Sequence, residues 1–314
     1  MPKGVGVRFG ATALTLALAA CGSGGPVADA SRPRIVSLNP CTDAVLAEVA
    51  APGQLLAISH YSQDPFATSM DITRARQFAA VSGSVEEIAA LKPDVVVASS
   101  FLSPTTAQAL RDLGMRVVLE PIPSDVPQAL EQVRSLAALT GNRKAGDALA
   151  RRINFALDDA APAPGSARIP ALVWQSGGIV AGERTLVADL LGRSGFVNAA
   201  AARGLAQADY LPLERVLADP PRVIFTVGSP AAEEDRMLRH PALSRLTGTV
   251  RAPLDSSLLW CGGPTIPRAL ARLAQVRAGL GGHAPRHAAP AGSPVLTHVH
   301  TENPPLPHTP EAQP

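Results

Sequence analysis

One phrase of twelve residues occurs twice in this chain, and the repeat restricts the possible folds more than any other feature. The first copy is Glu86-Glu87-Ile88-Ala89-Ala90-Leu91-Lys92-Pro93-Asp94-Val95-Val96-Val97; the second is Glu214-Arg215-Val216-Leu217-Ala218-Asp219-Pro220-Pro221-Arg222-Val223-Ile224-Phe225. In each, a Glu opens a short amphipathic helix, a Pro seven residues later ends it, and a largely β-branched run follows as a buried strand. Two copies of a helix-to-strand unit imply two related lobes.

Between the copies lies a largely polar, helical connector. Apolar residues fall at Val126, Leu130, Val133 and Ala137, then at Ala145, Leu149, Ile153 and Ala156, and these steps of three and four put each set on one helix face. Thr140-Gly141-Asn142 interrupts the pattern, which predicts two helices, the second capped by Asn142. At about 1.5 Å per residue the second is roughly 27 Å long, enough to bridge two lobes.

The rest of the chain alternates strands with helices. Strands are expected near 34–38, 55–59, 94–98 and 115–119 in the first half, and near 171–174, 223–227 and 249–252 in the second. Helices are expected through Val45, Leu46 and Val49 with Thr42 or Asp43 as cap, and over 86–91, 105–113, 186–191, 213–217 and 265–280. The fold class is α/β: two lobes with mainly parallel sheets covered by helices, joined by a long rigid helix. The N-terminal lobe is assigned to 34–123, the connector to 124–166 and the C-terminal lobe to 167–280. With 46% hydrophobic residues in 314, two modest cores are within reach.

Ligands of open parallel sheets gather beyond the carboxyl ends of the strands. That rule marks Asn39, Cys41, Thr42, His60, Tyr61, Ser99, Ser100, Phe101 and Glu120 in the first lobe. In the second it marks Gln175 to Gly178, Gly228, Ser229 and the stretch Leu259-Trp260-Cys261-Gly262-Gly263-Pro264. The two edges are expected to face each other across a cleft suited to a small molecule.

The chain ends carry a different signal. Lys3 and Arg8 precede an apolar run from Phe9 to Ala20, too short to span a bilayer and suited to a secretory signal over 1–21. Its end, Leu18-Ala19-Ala20-Cys21, resembles the lipobox of bacterial lipoproteins, in which the Cys is lipidated; an ordinary cleaved signal is the other reading. Residues 22–33 read as a flexible tether, and 281–314, with His283, His287, His298, His300 and His308 among prolines, as a disordered tail. The tail histidines suit weak zinc binding or a solvated tract. A net charge of +2 gives no reason to expect nucleic acid.

From Arg34 to Gly279 the sequence resembles the periplasmic substrate-binding proteins of ABC importers for iron siderophores, haem and cobalamin. The carriers are Arg34-Ile35-Val36-Ser37-Leu38, the paired phrases at Glu86 and Glu214, and the long connector. The resemblance implies a monomeric, lipid-anchored periplasmic receptor without a resident cofactor. It would capture a metal chelate or cofactor in the cleft and pass it to an ABC permease and its ATPase. It also implies that Glu86 and Glu214 dock onto basic pockets of the permease, although a carboxylate at a helix start is favoured by the helix dipole as well. Ser59-His60-Tyr61-Ser62-Gln63-Asp64-Pro65 is similar to the loop by which cobalamin-binding members set a Tyr against the corrin; a Tyr packed on its own lobe is the alternative. Arg74 and Arg76, just beyond that loop, are candidates for holding the acids of a ferric siderophore, or are solvated surface.

Asn39-Pro40-Cys41-Thr42-Asp43 and Trp260-Cys261-Gly262-Gly263-Pro264 resemble a less studied branch of that family. Three readings of their cysteines stand open. Export favours a disulfide between Cys41 and Cys261; with His60 they are alternatively thiolate ligands for a bare metal ion such as zinc; or they are two small unpaired apolar side chains. An extracytoplasmic enzyme using Cys41 and His60 is the remaining alternative, but no orienting third group is recognisable and no Gly-x-Ser-x-Gly, His-Glu-x-x-His or Walker-type loop is present. A lipoprotein that binds another macromolecule through an apolar patch is a third class.

Overall fold

A computed structural model describes Met1 and residues 32–228 and 233–281. The export signal with Cys21, most of the tether, Ser229 and the histidine-bearing tail lie outside the described residues.

The first half builds β1 (Ile35–Ser37), α1 (Pro40–Val49), β2 (Leu55–Ser59), α2 (Ile72–Ala75), β3 (Ala79–Val81), α3 (Val85–Leu91), β4 (Val95–Ser99), α4 (Pro104–Asp112) and β5 (Arg116–Glu120). Its five strands form a parallel sheet in the order β3-β2-β1-β4-β5. After α5 (Val126–Leu139) and α6 (Arg143–Ala160) come β6 (Ile169–Gln175), β7 (Ile179–Ala181), α7 (Leu186–Arg193), β8 (Phe196–Asn198), β9 (Ala208–Tyr210), α8 (Leu213–Ala218), β10 (Val223–Val227), α9 (Pro241–Ser244), β11 (Val250–Pro253) and α10 (Thr265–Gly281). In this second sheet β11, β10, β6 and β8 run parallel, while β7 and β9 add an antiparallel edge.

The short strands β3, β7, β8 and β9 were not expected from sequence. Each has three residues, and β9 is exposed throughout, so no apolar alternation announces it. The start of α1 also differs. Asn39, not Thr42 or Asp43, is the cap: its Oδ1 accepts from the Cys41 amide at 2.9 Å. Pro40 has no N–H to satisfy and fits the first helical position, which moves the cap one residue upstream of it. The connector matches its sequence pattern, with the Asn142 side chain accepting from Ala145 N at the start of α6.

Alternation along the strands gives each sheet two buried faces. Val36 and Val96 point toward Ile88 and Leu110 of the outer helices, whereas Ile35, Val95 and Val97 point to a layer containing Val45, Val133, Leu149 and Ile153. That layer continues to Ala171, Val173, Phe225 and Leu270 of the second half, so one apolar core runs between the two sheets through α1, α5, α6 and α10. Polar ties lock α5 at both ends. Gln54 Nε2 donates to Thr140 O at 3.1 Å on the first-sheet side, and Val126 N donates to Asp189 Oδ2 at 2.8 Å on the other.

Asp43 is the buried polar anchor of the first half. Its Oδ2 accepts from Ser59 N at 2.9 Å and Ser62 Oγ at 2.7 Å, which fixes the segment after β2 against α1. Burial raises its carboxyl from 3.8 to about 8, against the opposing pull of hydrogen bonds from Ser37, Ser62, Ser59 and Asn39. The folded protein thus holds this proton over a range in which the unfolded chain has released it. The stabilisation from Asp43 is complete below the unfolded value and is lost as pH rises through the folded one. Asp43→Asn removes the titration, so the variant should gain stability relative to the parent between pH 5 and pH 8.5. Denaturant melts of both proteins across that range test this, and a difference that is flat or falls with pH would refute it.

Candidate functional site

Strand register brings the carboxyl ends of the first sheet into line. Ser37 pairs with Val97 and Ser99 with Glu120, so the residues that follow β1, β4 and β5 emerge on one edge. Thr226 beside Trp174 and Val227 beside Gln175 do the same in the second sheet. Between the edges lies a cavity of about 340 Å³. Phe101, Ile122, Pro123 and Ser124 line it from the first half; Gln175, Arg184, Gln207, Leu186 and Val187 line it from the second; Leu259 and Trp260 close one side.

Its chemistry is mostly apolar, with a few convergent polar groups. Phe101 is 79% exposed and Trp260 50% exposed, so two large aromatic faces stand open at the cavity. Gln175, at the end of β6, is only 7% exposed and presents an amide. Arg184 lines the same space, and its guanidinium has no hydrogen-bond or ion-pair partner among the described residues. The position of Arg184 follows from a tight backbone pairing. Gly182 N donates to Gln207 O at 2.9 Å and Arg184 N to Ala206 O at 2.7 Å, and a Cβ on Gly182 would collide with Gln207 O. Arg184 and Gln207 are therefore held side by side.

Cys41 and Cys261 are bonded to each other as a disulfide, with Cα atoms 4.9 Å apart across 220 residues of sequence. The glycines after Cys261 allow this approach. A Cβ on Gly262 would lie 2.8 Å from Ala129 Cβ, and one on Gly263, whose φ is 70°, would lie 2.6 Å from Val45 Cγ2. The Cys-Gly-Gly-Pro stretch thus beds into α1 and α5, and the bond ties α1 to the segment entering α10. This corrects the reading of Cys41 and Cys261, with His60, as metal ligands and that of Cys41 as a nucleophile, because a bonded sulfur has no thiolate to offer. Among the described residues no group of three or more His, Cys, Asp and Glu is arranged to hold a metal ion.

Other residues singled out in the sequence serve the scaffold. Asn39 caps α1, and Thr42 is buried with its hydroxyl 2.8 Å from that of Ser37, so neither side chain faces the cavity. His60 sets Nδ1 3.2 Å from Val81 O, and its ring lies 4.0 Å from that of Tyr61, which is 54% exposed at the same edge but outside the cavity wall. Glu120 is buried, its carboxyl raised by that burial and accepting from Ser135 Oγ at 3.1 Å, which ties β5 to α5. Arg74 is paired with Glu48 at 2.8 Å on a different face. Ile122, Arg184 and Gln207 carry no site signal in the sequence; the last two meet through the backbone pairing of Gly182–Arg184 with Leu205–Gln207 beside β7 and β9.

Glu86 and Glu214 are exposed in the first turns of α3 and α8. Glu87 differs from its neighbour: it accepts from the Ser82 hydroxyl and amide, both at 2.7 Å, which lowers its carboxyl below the usual range. Glu86 is thus left as the unbound carboxylate of that turn.

Removing the bond by Cys41→Ser with Cys261→Ser should destabilise the protein by about 2–5 kcal/mol, the usual cost of losing a native disulfide. A thermal melt of this variant, and of the parent with and without reductant, checks it; melts that coincide would mean the bond contributes nothing.

Solved structures similar to this fold include periplasmic binding proteins. A periplasmic haem binding protein from Pseudomonas aeruginosa aligns at a TM-score of 0.62 with 21% identity, over 78% of this chain and 92% of that one. The periplasmic vitamin B12 binding protein of Vibrio cholerae aligns at 0.59 with 20% identity, over 80% and 97%. A cobalamin-binding protein of Halobacterium salinarum is 26% identical over 209 residues, 63% of this chain and 54% of the relative, so the chain spans about half the length of the curated relatives it matches. The periplasmic binding protein family itself matches residues 35–251, and with its two sheets and intervening cleft this chain belongs to that family.

Proposed function

We propose that this chain is the lipid-anchored periplasmic receptor of an ABC importer, and that it captures an organic metal chelate or cofactor of the cobalamin, haem or ferric-siderophore class between its two sheets. The observation that carries this reading is the cavity wall: two open aromatic faces, Phe101 and Trp260, beside the polar trio Gln175, Arg184 and Gln207. Flat, largely apolar ligands gain from stacking on exposed rings, and a few fixed polar groups orient them. The export signal ending in Cys21 and the names of the relatives, which are those of haem- and cobalamin-binding proteins, support the same reading.

The ligand is held without chemistry on the protein's part. The disulfide and the shared apolar core resist wide separation of the sheets, so the cleft is preformed and the ordering cost of binding is small. Arg184 supplies a positive charge for an acidic substituent. Glu86 and Glu214 dock on the permease, one from each half.

Titration of the purified chain with haemin, cyanocobalamin and a ferric siderophore, read by tryptophan quenching and by the ligand's visible spectrum, tests the capture step. Trp260→Ala should weaken the true ligand by about tenfold or more. Arg184→Gln should weaken a carboxylate-bearing ligand by a similar factor and leave a neutral corrinoid unchanged. Failure of all three ligands to bind would refute the chelate reading. Glu86→Lys with Glu214→Lys should lower association with the reconstituted permease by about tenfold at low salt and leave ligand binding intact; unchanged association would remove the docking role.

A further inference from the structure

A second concavity, of about 420 Å³, lies away from the cleft where α1, α2, α6 and α10 converge. Its wall holds Arg74, Arg152 and Arg268 against only Glu48 and Asp71, an excess of one positive charge. The three arginines come from three separate elements: Arg74 from α2, Arg152 from α6 and Arg268 from α10.

Glu48 organises two of them. One carboxylate oxygen accepts from Arg74 Nη1 at 2.8 Å, and the other accepts from Arg152 Nη2 at 3.0 Å. Arg74 Nη2 also donates to Ala47 O at 2.5 Å, so its plane is fixed. Asp71 Oδ1 is engaged by the Arg74 amide at 3.0 Å as the cap of α2. Among the described residues Arg268 has no carboxylate partner, and its guanidinium makes one bond, a long 3.4 Å contact to Ser257 Oγ. The remaining guanidinium N–H groups of Arg152 and Arg268 have no acceptor among the described residues.

We propose that this concavity is a second ligand site, distinct from the cleft, that takes a phosphate-class oxyanion. Excess guanidinium charge in a concave space attracts anions, and guanidinium forks match the oxygens of a phosphoryl group better than a spherical ion such as chloride. Ala44, Ala47, Met70 and Pro264 back the site and limit water around the bound group. An oxyanion there bridges α6, α10 and the first half, adding a joint beside the disulfide. The chemistry is shared by a free oxyanion and by the headgroup of an anionic lipid, which a membrane-tethered receptor would meet.

The test is calorimetric titration of the chain from residue 22, which leaves out the lipidated Cys21, with inorganic pyrophosphate, at ionic strength matched with sodium chloride. One saturable site is expected, weakened roughly tenfold by Arg268→Gln or Arg152→Gln and unaffected by Arg111→Gln, which removes the same charge from exposed α4. Glu48→Gln, which raises the net charge of the site, should tighten binding. Flotation with phosphatidylglycerol vesicles separates the sources: vesicle binding that needs Arg152 and Arg268 and is displaced by pyrophosphate assigns the site to a headgroup, and pyrophosphate binding without flotation assigns it to a free oxyanion. No saturable heat and no flotation, or binding indifferent to Arg152 and Arg268, overturns the site. Ligand binding in the cleft is measured separately, so either site can fail alone.

Discussion

The arrangement of this protein rests on a single apolar layer shared by its two sheets. Ile35 and Val97 of the first sheet, Val133 and Ile153 of the connecting helices, and Val173, Phe225 and Leu270 of the second half belong to one buried cluster. Separating the halves would expose that cluster, and burial of each large side chain is worth about 1.5–3 kcal/mol. The halves are therefore coupled through their interior, and the disulfide between Cys41 and Cys261 adds a covalent limit at the rim of the same layer.

A cleft built on such a frame differs from one built on a hinge. Its walls are strand ends set by register, and the register is set by which residues face the shared core. A ligand entering such a preformed cleft would order few groups, which suits the capture-and-release role proposed for it. The aromatic faces of Phe101 and Trp260 remain open because they lie beyond the strands, where the core no longer needs them. Asp43 holds the neighbouring edge in place from beneath, its carboxyl group spanning α1 and the turn after β2.

Much of the frame is legible in the sequence. The twin phrases locate α3 with β4 and α8 with β10 because helix and strand periodicities, a closing Pro and a β-branched run are local signals. Asn142 announces the start of α6 for the same reason. The cleft was less legible. Phe101, Gln175 and Trp260 follow from the strand-end rule and do line the cavity, but Asn39 and Thr42 satisfy the same rule and are consumed by capping and burial. Whether a side chain at a strand end points into a cleft or back into a helix turn is a matter of rotamer and neighbours, which a pattern of letters does not carry.

Arg184 and Gln207 mark the boundary most clearly. They meet only because Gly182 lets two segments pair that neither propensity nor alternation identifies as strands. The cysteines mark it in another way: compartment made a bond one of three options, and it was the bedding of Gly262 and Gly263 against α5 and α1 that brought the two sulfurs together. Element type, the two-sheet plan and the connector were written in local composition and periodicity, since those depend on a residue and its near neighbours. The cleft wall, the disulfide and the arginine-lined concavity were decided by packing among segments far apart in the chain, because each needs a distance that no local signal encodes.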